Sequence, residues 1–348
     1  MVTGNSKVSK ANGTLSLLLL LALLLFSLVP TEAQIGVCYG GKGGGDNLPS
    51  EQDAVNLYKS NGIKAMRLYD PNQAALQALQ GAGINIILGV PNDSLQSVGS
   101  DPSSAMQWVN TNVVPYASFI RYIAVGNEVH PSDAAAPQVL PAMQNILNAL
   151  NSVNAGGQIK VSTAIDSSLL TNTFPPSSGV FGDTSYMTPI INFLTSNGFP
   201  LLLNVYPYFS YTGNEQSISL NYALFTAPGT VVTDSNNGLQ YQNLFDALVD
   251  TVYAALAKAG APNTVIVVSE SGWPSAGGDA ATVDNAGTYY KNLIGHVKQG
   301  TPLKPGQALE TYLFEMFDED NKQGAPTEQH FGIFTPAQQP KYGQLNFS

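Results

Sequence analysis

Two glutamates that directly follow apolar, β-branched runs are the residues best placed to do chemistry. Glu128 ends the run Ile-Ala-Val-Gly-Asn-Glu at 123–128, and Glu270 ends Val-Ile-Val-Val-Ser-Glu at 265–270. A buried, unpaired carboxylate costs several kcal/mol, so a glutamate there has a structural or a chemical purpose. A structural salt bridge is the alternative for either glutamate alone. No Lys or Arg lies near either run end in the sequence, which favours a chemical purpose for the pair.

Two carboxylates that face each other across a cleft are the groups that glycosidic bond cleavage requires. One protonates the departing oxygen, and the other attacks or stabilises the anomeric carbon. A separation of about 5 to 5.5 Å gives retention of configuration through a covalent intermediate, whereas about 6.5 to 9.5 Å admits a water and gives inversion. The sequence leaves both outcomes open.

Aromatic and amide side chains lie near the same run ends. Aromatic faces suit the apolar faces of sugar rings, and an amide beside the reacting carbon can bind a hydroxyl. Each aromatic residue alone has core packing as its alternative, but their concentration at one end of the predicted strands favours a sugar site. The candidates are Asn127, Tyr206, Phe209, Trp273 and Phe317.

A charged loop follows the last apolar run. It contains Glu319 and Lys322, and Glu328 lies further along the chain. Lys322 could anchor a hydroxyl-binding network or keep Glu270 ionised by its positive charge. The alternative is an exposed acidic loop without a role in the site.

Eight apolar runs recur along the chain, and segments with helical spacing separate most of them. Each run has few polar interruptions, as expected of a parallel strand that is buried on both faces. Helical spacing is clearest at 50–60, where Ser50 and Asp53 predict an N-terminal cap, and at 239–258, where apolar residues recur every four positions. The runs are 34–40, 64–70, 85–91, 121–129, 159–165, 201–208, 264–270 and 308–317.

The number of alternations predicts the fold class. Eight strand and helix alternations in about 250 to 300 residues favour an α/β protein with a closed (β/α)8 TIM barrel over an open doubly wound sheet. We interpret 34–348 as a single catalytic domain, because no linker or charge block divides it. The exception to the pattern is 321–348, whose prolines and weak helical periodicity predict a segment that wraps the barrel.

Residues 1–33 have the features of a secretory signal peptide. A basic start precedes an apolar stretch at 15–29, which is shorter than the ~20 residues that span a bilayer, and small residues precede position 34. We therefore expect a secreted, extracellular protein that no membrane anchors. Two glycosylation sequons follow, Asn92-Asp93-Ser94 and Asn346-Phe347-Ser348, and neither has to be occupied.

Composition excludes several classes of partner. The net charge of −10 opposes binding to a nucleic-acid backbone. One cysteine and three histidines offer little for a zinc site. We expect a monomer that needs no cofactor and no metal.

Six short motifs along the chain together form a recognisable pattern. They are Ile-Gly-Val-Cys-Tyr-Gly at 35–40, Met-Arg-Leu-Tyr-Asp at 66–70, Val-Gly-Asn-Glu at 125–128, Asn-Val-Tyr-Pro-Tyr-Phe at 204–209, Ser-Glu-Ser-Gly-Trp-Pro-Ser at 269–275 and Phe-Glu-Met-Phe at 314–317. With them the chain resembles the plant endo-1,3-β-glucosidases of glycoside hydrolase family 17 over essentially all of 34–348. The stretch at 269–275 is highly specific.

The resemblance implies a (β/α)8 barrel that hydrolyses internal β-1,3 links of glucans such as callose and laminarin with retention. It implies that Glu128 is the proton donor and Glu270 the nucleophile. Asp318 and Asp320 depart from the asparagines common in such proteins, without affecting the catalytic pair. The resemblance also suggests an extracellular role in defence against fungal walls or in callose turnover. Its accessory charged positions are Glu319, Lys322 and Glu328, and its cleft positions are Tyr39, Asn127, Tyr206 and Phe317.

Two alternative functions stay open. The same scaffold could hydrolyse mixed 1,3-1,4-β-glucan, since loop shape rather than the carboxylates decides linkage. A catalytically weak, glucan-binding wall protein is the other alternative, and the intact pair Glu128 and Glu270 argues against it.

Overall fold

The computed structural model describes residues 34–41 and 47–347, together with Met1. The signal peptide predicted at 1–33 lies outside these described residues. The eight predicted apolar runs all form strands, and these close into one parallel barrel of eight strands, which confirms the predicted TIM-barrel fold. The barrel strands are β1 Ile35–Tyr39, β2 Ala65–Leu68, β3 Asn85–Val90, β4 Ile120–Asn127, β5 Lys160–Asp166, β6 Leu201–Asn204, β7 Ile266–Ser271 and β8 Thr311–Leu313.

Helices connect the strands. Ser50 caps the first helix by accepting a hydrogen bond from the Asp53 amide, as the sequence predicts. Asn243 caps the long helix α9 in the same way through the Asp246 amide. The helices are α1 Glu51–Ser60, α2 Gln73–Leu79, α3 Leu95–Ser100, α4 Pro102–Asn112, α5 Ala136–Ser152, α6 Thr184–Asn197, α7 Pro207–Thr212, α8 Leu220–Ala223, α9 Leu244–Lys258 and α10 Val283–His296.

Side-chain alternation along the strands creates two nested apolar cores. In β2, Met66 and Leu68 face the helices, whereas Ala65 and the following Tyr69 belong to the cluster inside the barrel. By this period of two, Arg67 also faces the barrel interior, where it is 1% exposed. A buried guanidinium needs several acceptors, and it finds them at the carboxyl ends of the neighbouring strands.

The eighth repeat lacks a regular helix in the described residues, as predicted for the segment after 320. Its chain first pairs with the loop after β8, where the amide of Phe334 donates to the Met316 carbonyl. Further on, Leu345 and Phe347 lie beside Gln34 at the opposite end of the barrel. The segment therefore runs along the barrel from its carboxyl end to its amino end.

Two strands end four residues before their predicted apolar runs do. β6 ends at Asn204 because Pro207, which has no amide hydrogen to donate, occupies the first turn of α7. β8 ends at Leu313. No helix within the described ranges is both long enough and apolar enough to cross a membrane.

Candidate active site

Glu128 and Glu270 line one cleft of about 650 Å³ at the carboxyl ends of the strands. The strands that carry them are irregular just before each glutamate. The register of β4 against β5 shifts between Ala124 and Asn127, and that of β7 against β6 shifts between Val268 and Glu270. Such bulges redirect the following side chain, and they place both carboxylates in the cleft.

The backbone at Glu128 is strained. Gly126 has φ 75°, which glycine adopts freely, but Glu128 has φ 51°, a left-handed conformation that is unfavourable for a side chain of this kind. The amide of Glu128 donates to the Ala164 carbonyl, which fixes the strained residue against β5. Strain of this kind concentrates at functional sites.

Arg67 lies inside the barrel and contacts Glu270 together with two asparagines, one of which precedes Glu128 in the chain and the other of which donates to it. Its Nη1 lies 2.8 Å from Oε1 of Glu270, 2.8 Å from Oδ1 of Asn204 and 3.0 Å from the Ser269 carbonyl oxygen. Its Nη2 donates to Oδ1 of Asn127 at 2.7 Å. One buried cation thus holds groups from β4, β6 and β7 in a fixed arrangement.

Glu270 receives hydrogen bonds on both carboxylate oxygens. Besides Arg67, the hydroxyl of Tyr69 donates to Oε1 at 2.8 Å and the hydroxyl of Tyr206 donates to Oε2 at 2.5 Å. Burial raises the pKa of both tyrosine hydroxyls well above the usual value of 10, so they remain protonated donors. Three donors fix the orientation of the carboxylate and match the surroundings of an ionised nucleophile.

Glu128 has a different environment. It is half-buried, and burial together with the nearby charge of Glu270 raises the pKa of its carboxyl to about 7. The amide Nδ2 of Asn204 donates to its Oε1 at 2.8 Å, which opposes that shift in part. Below neutral pH Glu128 therefore carries a proton and can act as a general acid.

A cluster of three glutamates around one lysine forms another part of the cleft wall. Nζ of Lys322 lies 3.2 Å from Oε1 of Glu315, 3.7 Å from Oε2 of Glu319 and 3.9 Å from Oε2 of Glu328. It also lies 4.1 Å from the centre of the Phe314 ring. The structure therefore gives Lys322 other partners than Glu270, and Arg67 is the cation that contacts Glu270.

Residues 35–347 match the model of the family Glycosyl hydrolases family 17. The chain belongs to glycosyl hydrolase family 17. It is 60% identical to "Glucan endo-1,3-beta-glucosidase" of Vitis vinifera over 95% of this chain and 96% of the relative. It is 57% identical to "Glucan endo-1,3-beta-glucosidase, acidic isoform" of Zea mays, over 94% and 96% of the two chains.

Solved structures agree with this family membership. One is CJP38, a beta-1,3-glucanase and allergen of Cryptomeria japonica pollen, with a TM-score of 0.86, 47% identity, and coverage of 90% of this chain and 99% of that chain. Another belongs to a study of two plant beta-glucan endohydrolases with distinct substrate specificities, with a TM-score of 0.84, 46% identity, and coverage of 89% and 99%. This family 17 chain is accordingly a glycoside hydrolase.

The structure brings most of the candidate binding residues to the cleft. Phe209 is the most open aromatic among them, with 44% of its surface exposed. Its ring lies 5.4 Å from that of Tyr206, so the two form a continuous aromatic surface. The candidates that line the cleft with the two glutamates are Asn127, Tyr206, Phe209, Glu319, Lys322 and Glu328.

Three candidates lie behind the cleft instead, and their predicted contact with substrate is corrected. Trp273 is 0% exposed, and its indole Nε1 donates to the Ala280 carbonyl at 3.0 Å. Tyr39 and Phe317 are also buried, and they pack edge to face with ring centres 6.3 Å apart. These aromatic residues support the loops of the cleft and leave no ring face for a sugar.

Sequence reasoning missed several cleft residues. The sequence contained a signal for Arg67, since a charged residue in the middle of the apolar run Ala-Met-Arg-Leu is as unusual as a glutamate at a strand end. Tyr69 follows two positions later and faces the same way. The missed residues that contact the glutamates or line the cleft are Arg67, Tyr69, Asn204, Phe314, Glu315 and Phe331.

Proposed function

We propose that this family 17 enzyme is an endo-hydrolase of internal 1,3-β-D-glucosidic links that works with retention of configuration. The observation that supports the roles of its residues is the unequal surroundings of two carboxyls in one cleft. Glu270 accepts from three donors, while Glu128 is a carboxyl whose pKa burial raises to about 7. Retaining glycosidases need such a pair, with one anion and one acid.

In the first step, the Glu270 carboxylate forms a bond to the anomeric carbon as the bond from that carbon to the departing oxygen breaks. The electron pair of the broken bond stays on that oxygen, which takes the proton of Glu128. In the second step, Glu128 removes a proton from water, and the water oxygen displaces Glu270 from the anomeric carbon. Both carboxyls return to their starting states, and two inversions give net retention.

The substrate class rests on the relatives. The Vitis vinifera and Zea mays proteins are named glucan endo-1,3-beta-glucosidases, and each aligns with nearly this whole chain. Phe209 and Tyr206 offer aromatic surface for glucose rings, and Glu319 and Lys322 offer polar contacts for hydroxyls. We infer that 1,3-β-glucan is the polymer that this cleft binds.

A mixed-linkage 1,3-1,4-β-glucan is the second candidate substrate. One solved relative at 46% identity belongs to a pair of plant beta-glucan endohydrolases with distinct substrate specificities, so this barrel accommodates more than one preference. Initial rates on laminarin and on a cereal mixed-linkage glucan separate the candidates. Faster hydrolysis of laminarin supports the 1,3 assignment, and faster hydrolysis of the mixed glucan replaces it.

The roles of the two carboxyls are tested by substitution. Glu270→Gln should lower kcat on laminarin by about 10⁴-fold or more while the melting temperature changes little, because the nucleophile is lost and its shape is kept. Glu128→Ala should lose less of its rate on an aryl glucoside with a good leaving group than on laminarin, because such a group departs without a proton. Equal losses on the two substrates contradict the acid role.

The stereochemistry of the first product is a separate measurement. Retention predicts that ¹H NMR detects the β-anomer before mutarotation, and an initial α-anomer excludes the mechanism.

A reducing-sugar assay distinguishes an enzyme from a wall protein that only binds glucan. Secretion through residues 1–33 and a monomeric state stay predictions of the sequence.

A further inference from the structure

Asn92 makes an unusual pair of contacts with the residue that precedes Glu128. Its Oδ1 accepts from the backbone amide of Asn127 at 2.8 Å, and its Nδ2 donates to the backbone carbonyl oxygen of Asn127 at 2.9 Å. The side chain of Asn92 thus engages both backbone polar groups of one residue, as a neighbouring strand does in a sheet. Asn92 itself lies just after β3, at the start of the 3-10 turn Asn92–Ser94.

The contact occurs where the sheet no longer supplies a backbone partner. The parallel pairing of β3 with β4 ends at Val90 and Val125, one residue before the positive φ of Gly126. Glu128 follows at φ 51° and bonds to β5 through its own amide. In the part of the chain that the structure describes, Asn92 is the partner of the Asn127 backbone groups on the β3 side of the bulge.

The side chain of Asn127 belongs to the catalytic network as well. Its Oδ1 accepts from Nη2 of Arg67 at 2.7 Å and from Nδ2 of Asn204 at 3.0 Å. Asn204 is the residue that donates to Glu128. A shift of the Asn127 backbone would therefore move the carboxyl of Glu128 relative to Glu270 and to the amide that orients it.

We propose that Asn92 is a positioning residue for the proton donor Glu128, and that N-glycosylation of its sequon is incompatible with an assembled active site. This inference rests on the proposed function, since it requires Glu128 to be the acid. Asn92 does not touch the reacting atoms. It acts through Asn127, whose backbone it holds at the bulge.

The incompatibility follows from amide stereochemistry. Because Oδ1 and Nδ2 of Asn92 bond to the same residue, the hydrogen that Nδ2 donates is the one on the same side as Oδ1. A substituent on an amide nitrogen prefers the position trans to the carbon chain, which is this same side, and the cis alternative costs about 2.5 kcal/mol. The sugar of a glycosylated Asn92 would therefore replace the hydrogen that reaches Asn127.

The sequon offers a matched control. Ser94→Ala abolishes the sequon and leaves the Asn92 side chain unchanged, since the Ser94 hydroxyl donates only to Asp93 in the described contacts. Asn92→Ala removes both contacts with Asn127. Asn92→Asp keeps the shape and the acceptor, but it sets a carboxylate oxygen against the Asn127 carbonyl oxygen.

Kinetics of these variants test the positioning role. We expect Asn92→Ala and Asn92→Asp to lower kcat on laminarin by about 10- to 100-fold, as displacement of a catalytic group by about 1 Å does. The loss on an aryl glucoside with a good leaving group should be smaller, and the alkaline limb of the pH profile should move, because the affected step is proton donation. If the role of Asn92 were purely structural, the variants would lose kcat equally on the two substrates. Ser94→Ala should behave as wild type.

Glycan occupancy supplies a measurement that needs no variant. The wild-type protein is made in a eukaryotic secretory host, and peptide mass spectrometry determines occupancy at Asn92. Molecules that carry a glycan there, separated on a lectin, should show the same reduced kcat as Asn92→Asp. Full occupancy with full activity overturns the proposal, and so do wild-type kinetics of both Asn92 variants.

Glu128→Gln separates this inference from the proposed function. If Glu128→Gln hydrolyses laminarin at the wild-type rate, the acid assignment fails and the Asn92 role fails with it. If Glu128→Gln is inactive while the Asn92 variants are normal, only the positioning role fails. If Asn92→Ala does not fold, the isosteric Asn92→Asp and the occupancy measurement still decide the question.

Discussion

Glu128 and Glu270 have the same side chain, but their neighbours in the cleft differ. Glu270 faces Arg67, Tyr69 and Tyr206, all of them donors. Glu128 faces one amide donor, and burial, together with the nearby negative charge of Glu270, raises the pKa of its carboxyl. The proposed division into acid and nucleophile therefore rests on the residues that surround the two carboxyls.

The pH dependence of activity follows from this difference. Because Glu128 must be protonated to donate, kcat/KM on laminarin should fall as the pH rises through about 7. An aryl glucoside with a good leaving group needs less protonation, so its alkaline limb should be shallower. Steady-state rates between pH 4 and pH 9 measure both curves. An identical alkaline limb for the two substrates would contradict the assignment.

The sequence predicted those parts of the site that depend on local pattern. Glu128 and Glu270 end apolar runs, and a run end is visible without knowledge of the fold. The contact between Arg67 and Glu270 joins residues 203 positions apart, so only barrel closure creates it. The sequence could not predict the burial of Trp273 either, because an aromatic residue that follows a strand end can face the cleft or the core.

At the scale of the elements, close approach of neighbouring strands constrains single residues. Gly89 in β3 lies against the segment that follows β2, where a methyl group would overlap the carbonyl oxygen of Tyr69. The obstacle is backbone, so it cannot rotate away. The apolar runs identified both strands, whereas the approach of the two chains appears only in three dimensions.

Gly89→Ala should therefore destabilise the barrel by about 1 to 3 kcal/mol, the usual cost of overpacking. Gly295 gives a control of opposite sign. It lies exposed in α10 with nothing near the position of an added methyl, so Gly295→Ala should stabilise the protein by about 0.5 to 1 kcal/mol. Urea denaturation midpoints at pH 6 measure both changes. A Gly89→Ala midpoint at or above wild type would show that the strands can separate without cost.

At the scale of the whole molecule, buried carboxyls make stability depend on pH. Burial raises the pKa of Asp250 in α9 to about 7, and one of its oxygens has no hydrogen-bond partner. Glu128 has a similarly raised pKa. A carboxyl whose pKa is higher in the folded than in the unfolded state binds protons more tightly when folded. It stabilises the fold fully below its unfolded pKa, and the stabilisation is lost as the pH rises through about 7.

We therefore expect the free energy of unfolding to fall between pH 5 and pH 8. Asp250→Asn should flatten this dependence and should be more stable than wild type at pH 8 by up to about 4 kcal/mol, since the amide has no charge to bury. Glu215→Gln, which changes an exposed carboxyl, should leave the slope unchanged. Urea denaturation at several pH values measures the slopes. An unchanged slope in Asp250→Asn would show that Asp250 does not contribute to the pH dependence of the free energy of unfolding.

The position of Arg67 has an evolutionary consequence. One guanidinium bonds to Glu270 and Asn204, and Asn204 in turn bonds to Glu128, so the proposed acid and the proposed nucleophile share an anchor. Substitutions at these positions are epistatic, because the loss of any one member already loosens the others. We therefore expect substitutions in the loops at the rim of the cleft, outside this hydrogen-bonded group, to change specificity with less loss of activity than substitutions within it.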